Sequence, residues 1–304
     1  MTANPSGSKL ASVLPNAFTK DMDPEMEKWF VKTSQGLIGD LTSPLVAQMG
    51  LNGAVTEPIQ FFDNACGAGV LTQEVHRALK PEVLSKSTFT CADFSDKMVA
   101  TTLRRAANEG WGHMEGKVAD GADTGFPDAS FSHIGISLGL HIIPDPDRAV
   151  KDALRMLKPG GVFGATTFTK RNGEVWFVPD VKSAFKALPF DAPIPDLFPM
   201  QIHSSGTWTD AAWVEAHLKE LGVRDVQVHV KTQKHKIESA EDYVNIFKMM
   251  FPMTMKAYWS EETLAAHPPA EVVPLVQKHL EELHGGRGWE IESEVIYMTG
   301  KGPQ

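Results

Sequence analysis

Two cysteines in 304 residues, Cys66 and Cys91, exclude a disulfide framework and suit a reducing compartment. Long apolar runs are missing as well. Nothing approaches the about 18 residues needed to span a bilayer, and residues 1–18 lack the basic start and apolar block of a signal peptide. An excess of positive charge is also absent. Lys and Arg number 29 against 38 Asp and Glu, a formal net charge of -9, which argues against a nucleic-acid partner. The chain contains no Gly-Lys-Ser/Thr phosphate loop, no Asp, Glu and His set at metal-ligand spacing, no internal repeat and no low-complexity block. The expectation is a soluble, cytoplasmic protein, a monomer or homodimer, working without a metal and away from membranes. With 42% hydrophobic residues there is ample material for a core.

What is present is an alternation of strands and helices. Apolar runs at 59–63, 87–93, 117–120, 131–138, 162–168, 226–230 and 294–298 read as seven strands. Helical patterns separate the first three at 70–79 and 96–110. A further helix follows Asp147 as N-cap and stops at Pro159-Gly160-Gly161, and another follows Thr209 and ends at Gly222. This predicts an α/β fold with a doubly wound, mostly parallel seven-stranded Rossmann-like sheet. Three stretches fall outside the repeat: a helix-prone 1–55, a proline-rich, irregular 170–207 and a helical 238–288. They are expected to form a helical cap on a single domain spanning 1–304, whose sheet core covers about 57–169, 208–236 and 289–301.

The segment Phe61-Phe62-Asp63-Asn64-Ala65-Cys66-Gly67-Ala68-Gly69 passes from an apolar strand through an acid into a small-residue loop. An amphipathic segment begins at Val70, so this is a strand, a turn and a helix N-terminus of the kind that holds a nucleoside-bearing ligand. A dinucleotide fingerprint would place a third small residue where Thr72 stands. Asp63 lies outside that fingerprint, where a carboxylate can face a cationic amine. Asp93 ends the second strand, where an acid can bond both hydroxyls of a ribose. Asp120 ends the third, followed by Gly121-Ala122, where a carboxylate can accept from an adenine amine. Three acids at successive strand ends suit an adenosine carrying a cationic group rather than a pyrophosphate. The blander readings are a tight turn at Gly67 and Gly69, a helix N-cap at Asp93 and a solvated turn acid at Asp120.

With Asp63 to Gly69, Asp93-Phe94-Ser95-Asp96-Lys97-Met98, Asp120-Gly121-Ala122 and Leu157-Lys158-Pro159-Gly160-Gly161, the chain resembles class I S-adenosylmethionine-dependent methyltransferases. The last of these motifs resembles ubiquinone-biosynthesis-type members. A narrower resemblance, to fungal gliotoxin-type thiol methyltransferases, rests on 61–69, 90–110 with Glu109-Gly110-Trp111, Asp123-Thr124-Gly125-Phe126-Pro127-Asp128, Leu221-Gly222-Val223-Arg224-Asp225-Val226 and the helical insertion. The resemblance implies S-adenosylmethionine as methyl donor, S-adenosylhomocysteine as product and a natural-product substrate. It implies that Asp63, Ala65, Gly67 and Gly69 hold the amino-acid end, with Ser34 and Gly36 closing over the carboxylate. Asp93 would hold the ribose, and Asp120, Gly121 and Ala122 the adenine. Phe94 is expected beside the adenine ring, Met98 under that ring or in the core, and Ser137 completes the cofactor set. Gly139-Leu140-His141 and the segment after Thr169 depart from the thiol enzymes, which leaves the accepting atom open.

Methyl transfer from a sulfonium needs a nucleophile aligned about 3–3.5 Å away and water excluded. A thiol of pKa about 8.5 needs little further help, whereas a phenol of pKa about 10 gains from a positioned base. His141, after strand four, and His203, at the end of the irregular insertion, are the candidate bases; the alternative for each is an ordinary hydrogen-bonded histidine. Trp29, Phe30, Trp176, Met250 and Met253 are the candidate substrate walls. The expected activity is methylation of oxygen or sulfur, less readily nitrogen, on a small, largely apolar natural product in fungal secondary metabolism. A cofactor-binding regulatory protein or pericyclic-type catalyst on the same fold is the second reading.

Overall fold

The computed structural model describes residues 9–13, 16, 23–169, 177–196, 198–199 and 201–302. Two helices open this part of the chain, α1 (Pro24–Gln35) and α2 (Leu37–Gln48), joined at Gly36. The sheet follows: β1 (Gln60–Asn64), β2 (Thr88–Asp93), β3 (Met114–Val118), β4 (Phe131–Ile136), β5 (Leu157–Phe168), β6 (Arg224–Ile237) and β7 (Trp289–Lys301). Their order is β3-β2-β1-β4-β5-β7-β6, and only β7 runs against its neighbours. The chain winds outward from β1 to β3, then returns to the other side of β1 for β4. The carboxyl ends of β1 and β4 therefore form the switch-point crevice in which such folds bind ligands.

Helices cover both faces. Adjacent Phe61 and Phe62 point to opposite sides, as strand pleating requires. Phe61 joins Leu41, Leu45, Leu71 and Val75, under α2 and α3 (Val70–Ala78). Phe62 joins Ile134, Val150, Leu154, Val214 and Leu218. Ile134 lies on β4, and the other four lie on the amphipathic stripes of the helices Pro146–Met156 and Ala211–Glu220. Gly116 lets the helix Asp96–Glu109 approach edge strand β3, since a Cβ there would lie 2.7 Å from Val99 Cγ1.

Several boundaries differ from the sequence reading for identifiable reasons. The third strand is Met114–Val118 rather than 117–120; it is an exposed edge and carries no apolar alternation. Asp145, not Asp147, caps the helix Pro146–Met156, accepting from Arg148 N at 3.0 Å, because Pro146 takes the first helical position without needing a donor partner. Asp210, not Thr209, caps Ala211–Glu220. Pro159-Gly160-Gly161 does not end the helix but lies inside β5, where the register jumps from Phe131↔Leu157 to His133↔Val162. Within the irregular stretch, Val178–Lys186 is a helix with Pro179 in its first turn, where a missing N–H costs little.

The largest difference is the length of β6 and β7, read as five-residue strands. Polar, exposed residues such as Lys231, Lys234 and Lys236 conceal an antiparallel pair of strands of 14 and 13 residues. β5 stops at Phe168, opposite Val295, while β6 and β7 continue to the Ile237↔Trp289 pair. Six residues of overshoot extend roughly 20 Å past the carboxyl end of β5. Between Ile237 and Trp289 hang four helices, Ala240–Ile246, Met250–Tyr258, Glu261–Ala266 and Pro269–Leu283. Their own apolar core includes Phe177, Phe185, Tyr243, Phe251, Val276 and Leu280. This cap is thus carried on the side of the sheet where the strands end. α1 docks against it: Trp29 donates from Nε1 to Asn245 O, and Trp29 and Phe30 pack with Met249 and Met253.

Candidate cofactor and acceptor site

The loop between β1 and α3 reverses direction through three left-handed residues, Ala65 (φ 57°), Gly67 (φ 52°) and Gly69 (φ 77°). Gly69 has no room for a side chain, since a Cβ would lie 2.9 Å from Thr102 Cγ2. Gly67 is the opposite case: nothing lies within 4 Å of where its Cβ would be, so a ligand can meet bare backbone there. Buried Arg105 braces the loop from behind, donating to Ala68 O and pairing with Glu109 at 2.8 Å.

Asp63 is 1% exposed. Thr72, which breaks the dinucleotide pattern, donates to Asp63 Oδ2 from both its N–H (3.1 Å) and its hydroxyl (2.8 Å). Asp63 Oδ1 takes no hydrogen bond among the described residues. Burial, with a smaller contribution from Asp93, pushes this carboxyl up to about 7, against the two Thr72 bonds. A carboxylate kept out of water with one oxygen unpaired is a site for a cation.

Asp93 accepts from Gly67 N at 3.0 Å and from Ser95 N at 2.9 Å, fastening the β1 loop to the β2 loop. Burial raises its pKa against those backbone bonds. The N-cap of the helix Asp96–Glu109 is Ser95, so Asp93 has no capping duty. Phe94 stands half exposed beside it, and Val118, paired across from Asp93, is also open. Met98 is core, 1% exposed. Asp120 lies two residues beyond β3 rather than at its end, exposed, and accepts from Ala122 N at 2.9 Å. Gly121 O accepts from Asn64 Nδ2 at 2.9 Å. Asn64 Oδ1 is buried and unpartnered. Sequence reasoning missed Asn64, because its neighbour Asp63 carries the recognisable motif and strand alternation aims Asn64 the other way.

On the β4 side, Ser137 belongs to a chain of hydroxyls. Its Oγ lies 2.9 Å from Thr42 Oγ1 and 3.4 Å from Thr166 Oγ1, and Thr166 Oγ1 accepts from Leu138 N at 2.9 Å. Leu138 is held left-handed at φ 52°, a conformation that bulky residues adopt only when their surroundings enforce it. Thr42 on α2 thereby ties the helix that starts at Gly36 to the end of β4; nothing in the local pattern around Thr42 signals this. Ser34, in the last turn of α1, is buried. A Cβ on Gly39 would lie 3.0 Å from both Ser34 O and Glu74 Oε1, so α1 and α2 pack closely over the start of α3.

His141 is 7% exposed and His203 lies close enough to disfavour its charge. The two differ in what their rings do. His203 Nε2 donates to Leu140 O at 2.9 Å, and its Nδ1 receives Gln201 Nε2 and Ser205 N, each at 3.3 Å. Both nitrogens of His203 therefore serve the backbone fold rather than the crevice. Of the expected substrate walls, Trp29, Phe30 and Met253 come together with Met249, whereas Met250 turns toward the cap core. Trp176 lies outside the described residues. A surface groove between α1 and the helix Asp96–Glu109 is lined by charges that pair internally, Arg104 with Glu27 and Arg105 with Glu109. No described helix is long and apolar enough to cross a membrane.

Comparison with known proteins agrees with this geometry. The model of the ubiE/COQ5 methyltransferase family matches residues 47–193, which contain the loop, β1 to β5 and the acids at 63, 93 and 120. The acetylaranotin bis-thiomethyltransferase of Aspergillus terreus is 26% identical over 277 residues, covering 90% of this chain and 93% of that one. Methyltransferase ktnA of Aspergillus niger is 26% identical over 280 residues, covering 85% and 89%. Among solved structures, a protein from Bacillus halodurans C-125 assigned as a methyltransferase superposes with a TM-score of 0.52 at 18% identity, covering 86% of this chain and all of that one. The glycine loop, the unpaired carboxylate beside it, the sheet order and these similarities together support a class I S-adenosylmethionine-dependent methyltransferase.

Proposed function

We propose that this methyltransferase acts, as a single folded unit, on an oxygen or sulfur atom of a small, largely apolar natural product in fungal secondary metabolism. The observation that carries the reading is the cap: the β6–β7 overshoot holds an apolar helical layer on the side where the cofactor crevice opens. Relatives of Aspergillus origin match over 85–90% of the chain, which supports the same setting. Bound S-adenosylmethionine supplies a methyl group already activated on a sulfonium.

The chain supplies position. Asp63 Oδ1 meets the ammonium of the amino-acid end, with bare backbone at Gly67 and the turn at Ala65 and Gly69 beneath it. Ser34 and Gly36 close over the carboxylate. Asp93 keeps lone pairs for the ribose hydroxyls while it holds the two loops together. Phe94 and Val118 offer apolar surface to the adenine, whose edge meets Asp120, Gly121 and Ala122, with Asn64 Oδ1 as a further acceptor. Ser137 sets the β4 side of the crevice. Trp29, Phe30 and Met253 wall the acceptor, and His141 faces it. Reduced, buried Cys66 and Cys91 fit a cytoplasmic setting.

Titration calorimetry with S-adenosylhomocysteine tests the cofactor half of the proposal, and no measurable binding ends it. S-adenosylhomocysteine release in the presence of apolar thiols and phenols tests the acceptor half.

A further inference from the structure

His141 lies five residues past the end of β4, with its ring edge-on to Phe168, the last residue of β5, at 5.5 Å and 70°. Its main-chain carbonyl accepts from Ile202 N at 3.1 Å, so the backbone here is pinned. The ring is not. Nδ1 is buried without a partner, and Nε2, which is not wholly buried and so is the nitrogen open to an acceptor, takes no hydrogen bond among the described residues either. An unmet buried polar group costs about 1–3 kcal/mol, so folded chains keep few of them without a reason. His203 cannot meet the need, because both its nitrogens are already engaged. Burial, with His203 nearby, lowers the His141 pKa to about 3, so the ring stays neutral, with one N–H and one lone pair.

We propose that the group meeting this unpartnered imidazole is a hydroxyl of phenol or enol type, making the enzyme an O-methyltransferase in which His141 removes the acceptor's proton. The inference rests on the methyl-transfer reading above. A hydroxyl both donates and accepts, so it satisfies His141 in either tautomer. A thiol is a weak donor, and a thiolate brings a negative charge that does not need a base. In the step, the O–H proton passes to the imidazole lone pair and an oxygen pair forms the bond to the methyl carbon. The carbon–sulfur pair stays on sulfur. One positive charge starts on the sulfonium and ends on the imidazolium, so the site's net charge is unchanged and the low proton affinity of the isolated ring is offset. The imidazolium returns its proton to water as the products leave.

The test pairs acceptors that differ only in the nucleophilic atom, 1-naphthol and 1-naphthalenethiol, with S-adenosylhomocysteine release as readout. The expected result is turnover of naphthol, lowered at least about 100-fold in His141→Ala, with the S-adenosylhomocysteine Kd within about twofold of the parent. Turnover of the thiol alone, turnover of neither, or a naphthol rate unchanged in His141→Ala overturns the inference. Loss of S-adenosylhomocysteine binding by the parent protein overturns the underlying reading instead. His141→Gln provides a polar variant should His141→Ala misfold. An activity-free check uses the unmodified protein loaded with S-adenosylhomocysteine: the ring-nitrogen resonances of His141 move on adding 1-naphthol and stay with naphthalene. Resonances that respond equally to both also refute it.

Discussion

Asp63→Asn removes the charge that the crevice keeps out of water while preserving an acceptor for Thr72. In the unliganded protein the Asp63 carboxyl is raised from 3.8 to about 7, chiefly by burial. At about 1.4 kcal/mol per pKa unit, keeping it ionised above pH 7 costs the fold on the order of 4 kcal/mol. The sign follows from the direction. A raised carboxyl binds its proton more tightly in the folded state, so its contribution to stability is complete below 3.8 and is lost as pH rises through about 7. A bound ammonium offsets that cost, so the cofactor and the proton compete for Asp63. With a pKa of about 7, roughly a tenth of the sites are ionised at pH 6 and roughly nine tenths at pH 8. The S-adenosylhomocysteine Kd should therefore be roughly tenfold weaker at pH 6 than at pH 8, with release of part of a proton on binding at pH 7. Titration calorimetry in buffers of different ionisation enthalpy reads both quantities. Asp63→Asn should bind more weakly at pH 8, lose the pH dependence and unfold at a higher urea concentration at that pH. A flat Kd between pH 6 and 8 in the parent, or the same slope in Asp63→Asn, would refute the assignment of Asp63 to the ammonium.

Gly69→Ala forces a left-handed alanine and a Cβ 2.9 Å from Thr102 Cγ2, so urea unfolding should show a loss of about 1–3 kcal/mol with weaker S-adenosylhomocysteine binding. Thr42→Val deletes the hydroxyl that bonds Ser137; a loss of about 1 kcal/mol is expected, and a kcat effect larger than the KM effect would separate a role at β4 from plain packing. Trp29→Ala removes the tie between α1 and the cap at Asn245, Met249 and Met253, so KM for an apolar acceptor should rise by more than the S-adenosylhomocysteine Kd; the reverse order would place Trp29 in the cofactor site.

The Asp63–Gly69 segment carries the shape of the candidate site in its own residues. An acid before a small-residue loop, with a second acid ending β2 and a third two residues beyond β3, suits an adenosine bearing a cation. The loop then folds as local rules require, with Gly67 and Gly69 in conformations that side chains resist. Thr72 shows where local reading stops. In the sequence it marks a departure from a fingerprint, but in three dimensions it supplies both donors to Asp63 Oδ2 and so leaves Oδ1 free for a ligand. Strand edges and caps slipped for a similar reason: Met114–Val118 is exposed, and Asp145 gains its capping role from the proline that follows it.

The sequence alone determined the fold class, because strand and helix alternation depends on patterns within short segments, and the methyl donor was legible in it through the resemblance carried by the motifs at 63–69, 93–98 and 120–122. The features on which the proposed acceptor side rests come from tertiary structure alone. Which histidine keeps an unmet nitrogen depends on Gln201, Ser205 and Leu140 having already claimed His203. The placing of the cap depends on how far two polar strands pair beyond the end of a third. Such facts depend on hydrogen bonds between segments tens to hundreds of residues apart, and no local pattern of polarity or spacing records them.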